Sequence, residues 1–304
     1  MKYNKQFLVL SFLLLSFILC SCSATFTIVD TPATMPPPRK LTTKPRVALV
    51  LGGGAFLGIA HLGAIKVLEE NNIPIDLIVG TSAGSFVGSM YADNPNSDSL
   101  KALSYKMKSE EFFDYSFFNS MAGFVSGANL QAYLNKHLKA KNIEDLKIPF
   151  VAVTSDLLSG QTIALSSGPI APSVNSSCAI PIIFEPVKMY GMVFVDGGVW
   201  NNVAVDIAKG YEPDVIIAIN LMSVLPKVTT IKNDLDVVRR EGQVSAYRFG
   251  IDKCELADVV LNPKVDQFPP LSDAYDKQIY EAGYKEALSK IEEIKRIVSE
   301  KVTR

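Results

Sequence analysis

Residues 46–51 read RVALVL, an apolar run without polar alternation, and three glycines and a helix-like segment follow it at once. A strand with no face to give to water belongs inside a sheet covered on both sides. The segment GIAHLGAIKVLEE from Gly58 places Ile59, Leu62, Ile65 and Leu68 at threefold spacing, which predicts a helix. The same order recurs along the chain. PIDLIVG (74–80) reads as a strand and SAGSFVGSMYAD (82–93) as a helix. PFVAVTSD (149–156) is a strand, GQTIALSSG a short strand with a turn, and APSVNSSCAIP a helix stopped by Pro181. MVFVDGG (192–198) and PDVIIAINL (213–221) are strands around the helix NNVAVDIAKG, and ELADVVLNP is the last strand. A long amphipathic helix, interrupted near Gly283, closes the chain. This alternation predicts a three-layer α/β/α fold whose central sheet is mostly parallel, with helices on both faces.

The folded body is expected to occupy residues 45–304 as one domain. Ahead of it, residues 22–44 hold four prolines among small polar residues and read as a tether. Residues 1–21 carry Lys2 and Lys5, then an apolar run from Phe7 to Cys20, the pattern of an export signal, a retained short membrane anchor being the alternative. The order Leu19, Cys20, Ser21, Cys22 resembles the lipobox of bacterial lipoprotein signals, which implies cleavage before Cys22 and lipidation of its thiol, with Cys20 the alternative acceptor. Ser23 behind that cysteine resembles the sorting pattern of Gram-negative lipoproteins held at the outer membrane, facing the periplasm or the surface. Two or three acyl chains anchor a protein stably where one does so only marginally.

The charge balance, 30 basic against 31 acidic side chains, and the lack of a clustered basic patch give no footprint for nucleic acid. The Cys and His residues have no metal-ligand spacing, and no cofactor is implied. Cys178 and Cys254 fall in expected core segments and read as small hydrophobes, a disulfide between them being the alternative. The segment 109–127 departs from the alternation with five phenylalanines. Phe112, Phe113, Phe117 and Phe118 are candidates for the wall of an apolar substrate cleft, and a buried strap over the sheet is the other reading.

GTSAG (80–84) is a G-x-S-x-G pentapeptide between a strand and a helix, the setting in which it forms a nucleophile elbow. Gly80 and Gly84 would flank the tight turn that lifts Ser82 above the sheet. A serine nucleophile needs a base, and only His61 and His137 exist. No histidine follows position 137, where an α/β-hydrolase would carry it. His137 lies on a lysine-flanked helix, and His61 reads as a structural imidazole bonded to loop backbone. The remaining base is a carboxylate. Asp196 stands at a strand end with Gly197 and Gly198 behind it, where such a sheet puts catalytic groups, and partial burial would bring its pKa toward the task. The glycine loop lacks the Gly-Lys-Ser/Thr of a phosphate loop and the strand-end acid of a dinucleotide site. It offers amides at a helix N-terminus one strand from Ser82, suited to an oxyanion.

Taken in order, GGGAFLGIAHLG, GTSAG and DGGVWNN resemble the patatin-like phospholipase family, and the similarity extends through VAVTSDLLSGQTIAL, APSVNSSCAIPIIFEPV and ADVVLNPKV. The resemblance implies a lipid acyl hydrolase with Ser82 as nucleophile, Asp196 as base, an oxyanion hole at Gly53, Gly54 and Ala55, and Gly58 supporting the loop. The implied substrates are phospholipids or lysolipids. Four departures stand out: Ala55 for a third glycine, Leu57 for an arginine, Ile182 for a glycine and Ala204 for a proline. Two other readings follow, a lipid-binding lipoprotein with a weakened site and, from the triple glycine alone, a nucleotide-binding structural lipoprotein.

Overall fold

The computed structural model describes residues 26–108, 123–225 and 227–302. Cys22 and Phe112, Phe113, Phe117 and Phe118 lie outside the described residues. In chain order the strands are β1 (Thr27–Ile28), β2 (Val47–Leu51), β3 (Leu77–Thr81), β4 (Gly123–Val125), β5 (Phe150–Asp156), β6 (Thr162–Leu165), β7 (Ile182–Phe184), β8 (Val187–Met189), β9 (Met192–Asp196), β10 (Val215–Ile219) and β11 (Val259–Leu261). The helices are α1 (Ile59–Glu70), α2 (Ala83–Asp93), α3 (Ser97–Ser104), α4 (Ala128–His137), α5 (Ile170–Ser177), α6 (Val205–Lys209), α7 (Asp234–Cys254) and α8 (Asp276–Val302).

The central sheet runs β1-β8-β9-β5-β3-β2-β10-β11, with β6 paired to β5 off this path. β5, β3, β2, β10 and β11 are parallel to one another, as the uninterrupted apolar runs predict. Their side chains divide by residue parity. Val47, Leu49, Leu51, Val215, Ile217 and Ile219 join the large core beneath the face that carries α1, α2 and α8. Ala48, Val50, Ile216 and Ala218 join a second core with Val205 and Ala208 of α6 and Cys254 of α7. A helix layer therefore covers each face.

Two antiparallel pairings bend this pattern at the site. β9 pairs antiparallel with β5, placing Asp196 opposite Thr154, whereas β3 pairs parallel with β5 and places Thr81 opposite Val153. β6 pairs with residues 152–155 of β5 and so takes its other edge. β3 and β9 therefore share one edge of β5 and run at each other end to end.

Two sequence expectations change. The closing helix is continuous from Asp276 to Val302, and Gly283 does not interrupt it. Gly283 and Gly63 instead let α8 and α1 cross at backbone distance: a Cβ on Gly283 would fall 1.9 Å from Ala60 O, and one on Gly63 would fall 2.1 Å from Tyr280 O. The segment expected as a tether is bound to the domain from Thr27 onward. β1 pairs with β8, Tyr190 N donates to Thr31 Oγ1, and Arg39 N donates to Ser166 Oγ. The edge strand β8 needs a partner for its free backbone groups, and this segment supplies one.

Candidate active site

The elbow is tight because its glycines touch backbone. A Cβ on Gly84 would fall 2.0 Å from Leu51 O, and one on Gly80 would fall 2.4 Å from Gly84 O. Ser82 between them has φ 53° and ψ −123°, a conformation costing on the order of 1–3 kcal/mol for a residue with a Cβ. Its surroundings hold it there. Ser82 N donates to Ser177 Oγ at 2.9 Å, and Ser177 Oγ donates in turn to Val153 O at 2.6 Å. Ser82 O accepts from Ser85 N and Phe86 N and from Cys178 Sγ. The sequence reading missed Ser177 and Cys178 as supports. Their only local signal is a run of small polar residues at a helix end.

Ser82 Oγ donates to Asp196 Oδ2 at 2.6 Å. The other carboxylate oxygen accepts Gly198 N–H at 2.7 Å, so the two glycines behind Asp196 turn an amide back onto the carboxylate. Asp196 is buried. Burial pushes its carboxyl up to about 6, and the hydrogen bonds from Ser82 and Gly198 oppose that rise only in part. The carboxylate is thus a better match to a serine proton than an exposed one. Cys178 is a free thiol, and burial together with the Asp196 charge raises its pKa, which keeps the thiol protonated beside the site. Cys254 is also free.

The glycine loop lies against this pair. Gly53 N–H, expected in the oxyanion hole, instead donates to Asn202 O at 3.1 Å, because the chain leaving Asp196 passes directly beneath it. Leu57 N donates to Gly54 O and Phe56 N to Pro270 O, while no hydrogen bond among the described residues engages the amides of Gly54 or Ala55. Ala55 takes φ 51°, so the alanine adopts the left-handed conformation for which a glycine is suited, at a cost of roughly 1–2 kcal/mol. Ala55 and Ser82 line the same cavity. Gly58 ends the 3₁₀ turn and leads into α1. Leu57 is buried in the main core, Ile182 is held at φ 74°, and Ala204 at φ −80° keeps a backbone that a proline would also accept.

His61 is fully buried and its Nε2 lies 2.8 Å from Gly52 O, so the ring donates there and supports the loop. Burial lowers its pKa to about 4. His137 lies against Tyr133, with ring centroids 4.4 Å apart and the planes tilted by 36°. Among the described residues no group of three or more His, Cys, Asp or Glu is arranged to hold a metal ion.

The cavity at Ser82 is walled by apolar side chains. Phe86, Val87 and Met90 continue along one face of α2, with Leu100 and Leu103 of α3 opposite. The seven residue steps from Ala83 to Met90 span about 10 Å of helix. Such a channel suits a hydrocarbon chain whose head is placed at Ser82 and Ala55.

Fold and site together define an α/β/α protein with a serine–aspartate pair at the C-terminal edge of a parallel sheet. A family model described as patatin-like phospholipase matches residues 49–209, a span that contains the glycine loop, Ser82 and Asp196. The chain belongs to the patatin-like phospholipase family. It is 30% identical over 267 residues to lysophospholipase nte1 of Aspergillus fumigatus, a match covering 78% of this chain and 18% of that protein. It is 31% identical over 192 residues to patatin-like phospholipase domain-containing protein 6 of Homo sapiens, covering 60% of this chain and 14% of the other. The chain thus spans less than a fifth of the length of these relatives. Among solved structures it is similar to VipD from Legionella pneumophila, with a TM-score of 0.44 and 11% identity over 93% of this chain and 73% of that one.

Proposed function

We propose that this chain is a serine acyl hydrolase that cleaves ester-linked fatty acids from phospholipids or lysolipids. One observation carries the reading: the 2.6 Å hydrogen bond from Ser82 Oγ to a buried Asp196, made at the head of an apolar channel. Ser82 Oγ attacks the ester carbonyl carbon as its proton passes to Asp196 Oδ2. The amides of Gly54 and Ala55 receive the oxyanion, a contribution of roughly 3–4 kcal/mol per donor. Asp196 returns the proton to the leaving alcohol, which departs and leaves the acyl group on Ser82. Water then attacks the acyl-enzyme while Asp196 takes its proton, and Ser82 Oγ recovers a proton as the fatty acid leaves.

The relatives named lysophospholipase favour lysolipid among the two substrates. Incubation with 1-acyl lysophosphatidylcholine tests this, with fatty acid released by the wild type and not by Ser82→Ala. Leu57, an apolar core residue where the family resemblance has an arginine, favours the second reading, a lipid-binding protein with a weakened site. Lipid binding without release would select that one. The export and lipidation pattern at residues 7–22 belongs to the same proposal, with Cys22 carrying the anchor at the outer membrane. The mass of the mature N-terminal peptide checks it, an unmodified Met1 being the contrary result.

A further inference from the structure

The exposed apolar residues of the protein are unevenly placed. Fourteen large hydrophobic side chains are exposed among the described residues. Seven of them, Leu157, Leu158, Val224, Val228, Ile231, Leu271 and Tyr275, lie on the segments that follow β5, β10 and β11. Those strands are parallel to β3, so all three segments leave the sheet at the edge where Ser82 sits. The opposite edge, with the segments that enter β3, β5, β10 and β11, carries Leu256 alone. We propose that the C-terminal edge of the sheet is a docking face for a lipid surface, which seats the channel mouth at Ser82 on the membrane.

The face is built rather than incidental. The turn that presents Leu157 and Leu158 is tied down by Asp156, whose carboxylate accepts from Leu158 N, Ser159 N, Ser159 Oγ and Val193 N. That fixed turn holds Leu158 at 76% exposure, a costly arrangement in water that an apolar partner repays. Leu271 is at once an exposed residue and a wall of the channel, so the apolar surface continues from the outside into the site. A bilayer fits this continuity because its acyl chains enter the channel directly. Lys227 and Lys232 are exposed beside Val228 and Ile231, the interleaving that suits anionic headgroups above an apolar layer about 5–10 Å deep. Trp200, half-buried, stands next to the same turn, 3.9 Å from where a Cβ on Gly160 would be.

This inference rests on the acyl hydrolase reading for its meaning but not for its test. Trp200 is the only tryptophan in the chain, so its emission reports this edge. The full chain carrying Ser82→Ala, which spares the lipid, is mixed with vesicles of phosphatidylglycerol and brominated phosphatidylcholine. Emission is expected to shift to the blue and to be quenched by the brominated lipid. Both effects are expected to be lost in the additional variant Leu157→Asp/Leu158→Asp and kept in Leu288→Asp on α8, even where an N-terminal anchor holds every variant on the vesicle. Thermal midpoints matching the parent show that the variants fold. No quenching in the parent, as for a face that binds protein instead, or equal quenching in all three, overturns the proposal. The hydrolase reading is scored separately, by turnover of a soluble short-chain ester without vesicles.

Discussion

Thr81 and Asp196 end two strands that run at each other along one edge of β5, the first opposite Val153 and the second opposite Thr154. The residue after Thr81 is Ser82, and the gap between the strand ends is closed by the hydrogen bond from its hydroxyl to Asp196. Two strand ends fixed on a common neighbour position the pair more rigidly than two loops would.

In the proposed reaction this placement makes Asp196 the titrating group. With its carboxyl raised to about 6, turnover of a soluble ester is expected to rise with pH through about 6 and then level. His61, pushed down to about 4 by burial, titrates elsewhere. The variant His61→Gln is therefore expected to keep the midpoint near 6 while losing stability, by about 1–3 kcal/mol for the buried Gly52 carbonyl left short of its donor. A pH–rate profile on both proteins checks the assignment, and a midpoint that vanishes in His61→Gln contradicts it.

The same shift has a consequence for stability. A carboxyl whose folded pKa lies above its unfolded value binds more protons when folded, so its favourable contribution is present at low pH and is lost as pH rises through about 6. Asp196→Asn is expected to be more stable than the wild type at pH 8, by up to about 3 kcal/mol, with the advantage fading toward pH 4. Its turnover is expected to fall by on the order of 10⁴-fold. Thermal melts across pH read the first effect and steady-state kinetics the second.

Ala55 separates backbone geometry from residue identity. Its φ of 51° is tolerable for alanine and a severe outlier for a β-branched residue. Ala55→Gly is expected to retain the fold and at least the wild-type turnover. Ala55→Val is expected to turn the amide away and to lower kcat by about 10²–10³-fold, with little change in KM for a small ester.

In the proposed hydrolase the apolar channel along α2 is expected to set acyl-chain length. Met90, two helical turns from Ala83, lines it together with Leu100. Met90→Trp is expected to leave a butyryl ester unaffected and to reduce turnover of a long-chain ester by about tenfold or more. Competition between the two esters on one preparation measures the ratio.

At the helix crossing, Gly283→Ala forces α8 away from Ala60 O. Overpacking of this kind costs about 1–3 kcal/mol, and a lower urea midpoint with an unchanged slope is the expected signature.

These residues also show how far the sequence carried. Ser82 and Asp196 were legible because each depends on its neighbours in the chain: a serine between glycines after a strand, and an aspartate before two glycines at a strand end. The alternation of apolar runs and helical spacing likewise fixed the three layers. What escaped depends on distant partners. Gly283 reads as a helix break until Ala60 is set against it. Gly53 reads as an oxyanion donor until Asn202 O is seen to occupy its N–H. The prolines of residues 31–38 suggest a free tether, yet their neighbours bond to the β8–β9 turn and to Ser166. Helix α7 has no apolar stripe for the sequence to show, because much of its surface is exposed, Val237, Val238 and Phe249 included.

The central claim is that Ser82 is an activated nucleophile. Treating the full chain with a fluorophosphonate probe and mapping the adduct by mass spectrometry tests it most directly. Covalent modification of Ser82 in the wild type, absent in Ser82→Ala and strongly slowed in Asp196→Asn, is the expected result. Folded wild-type protein that leaves Ser82 unmodified, or Asp196→Asn labelled as fast as the wild type, would contradict the account.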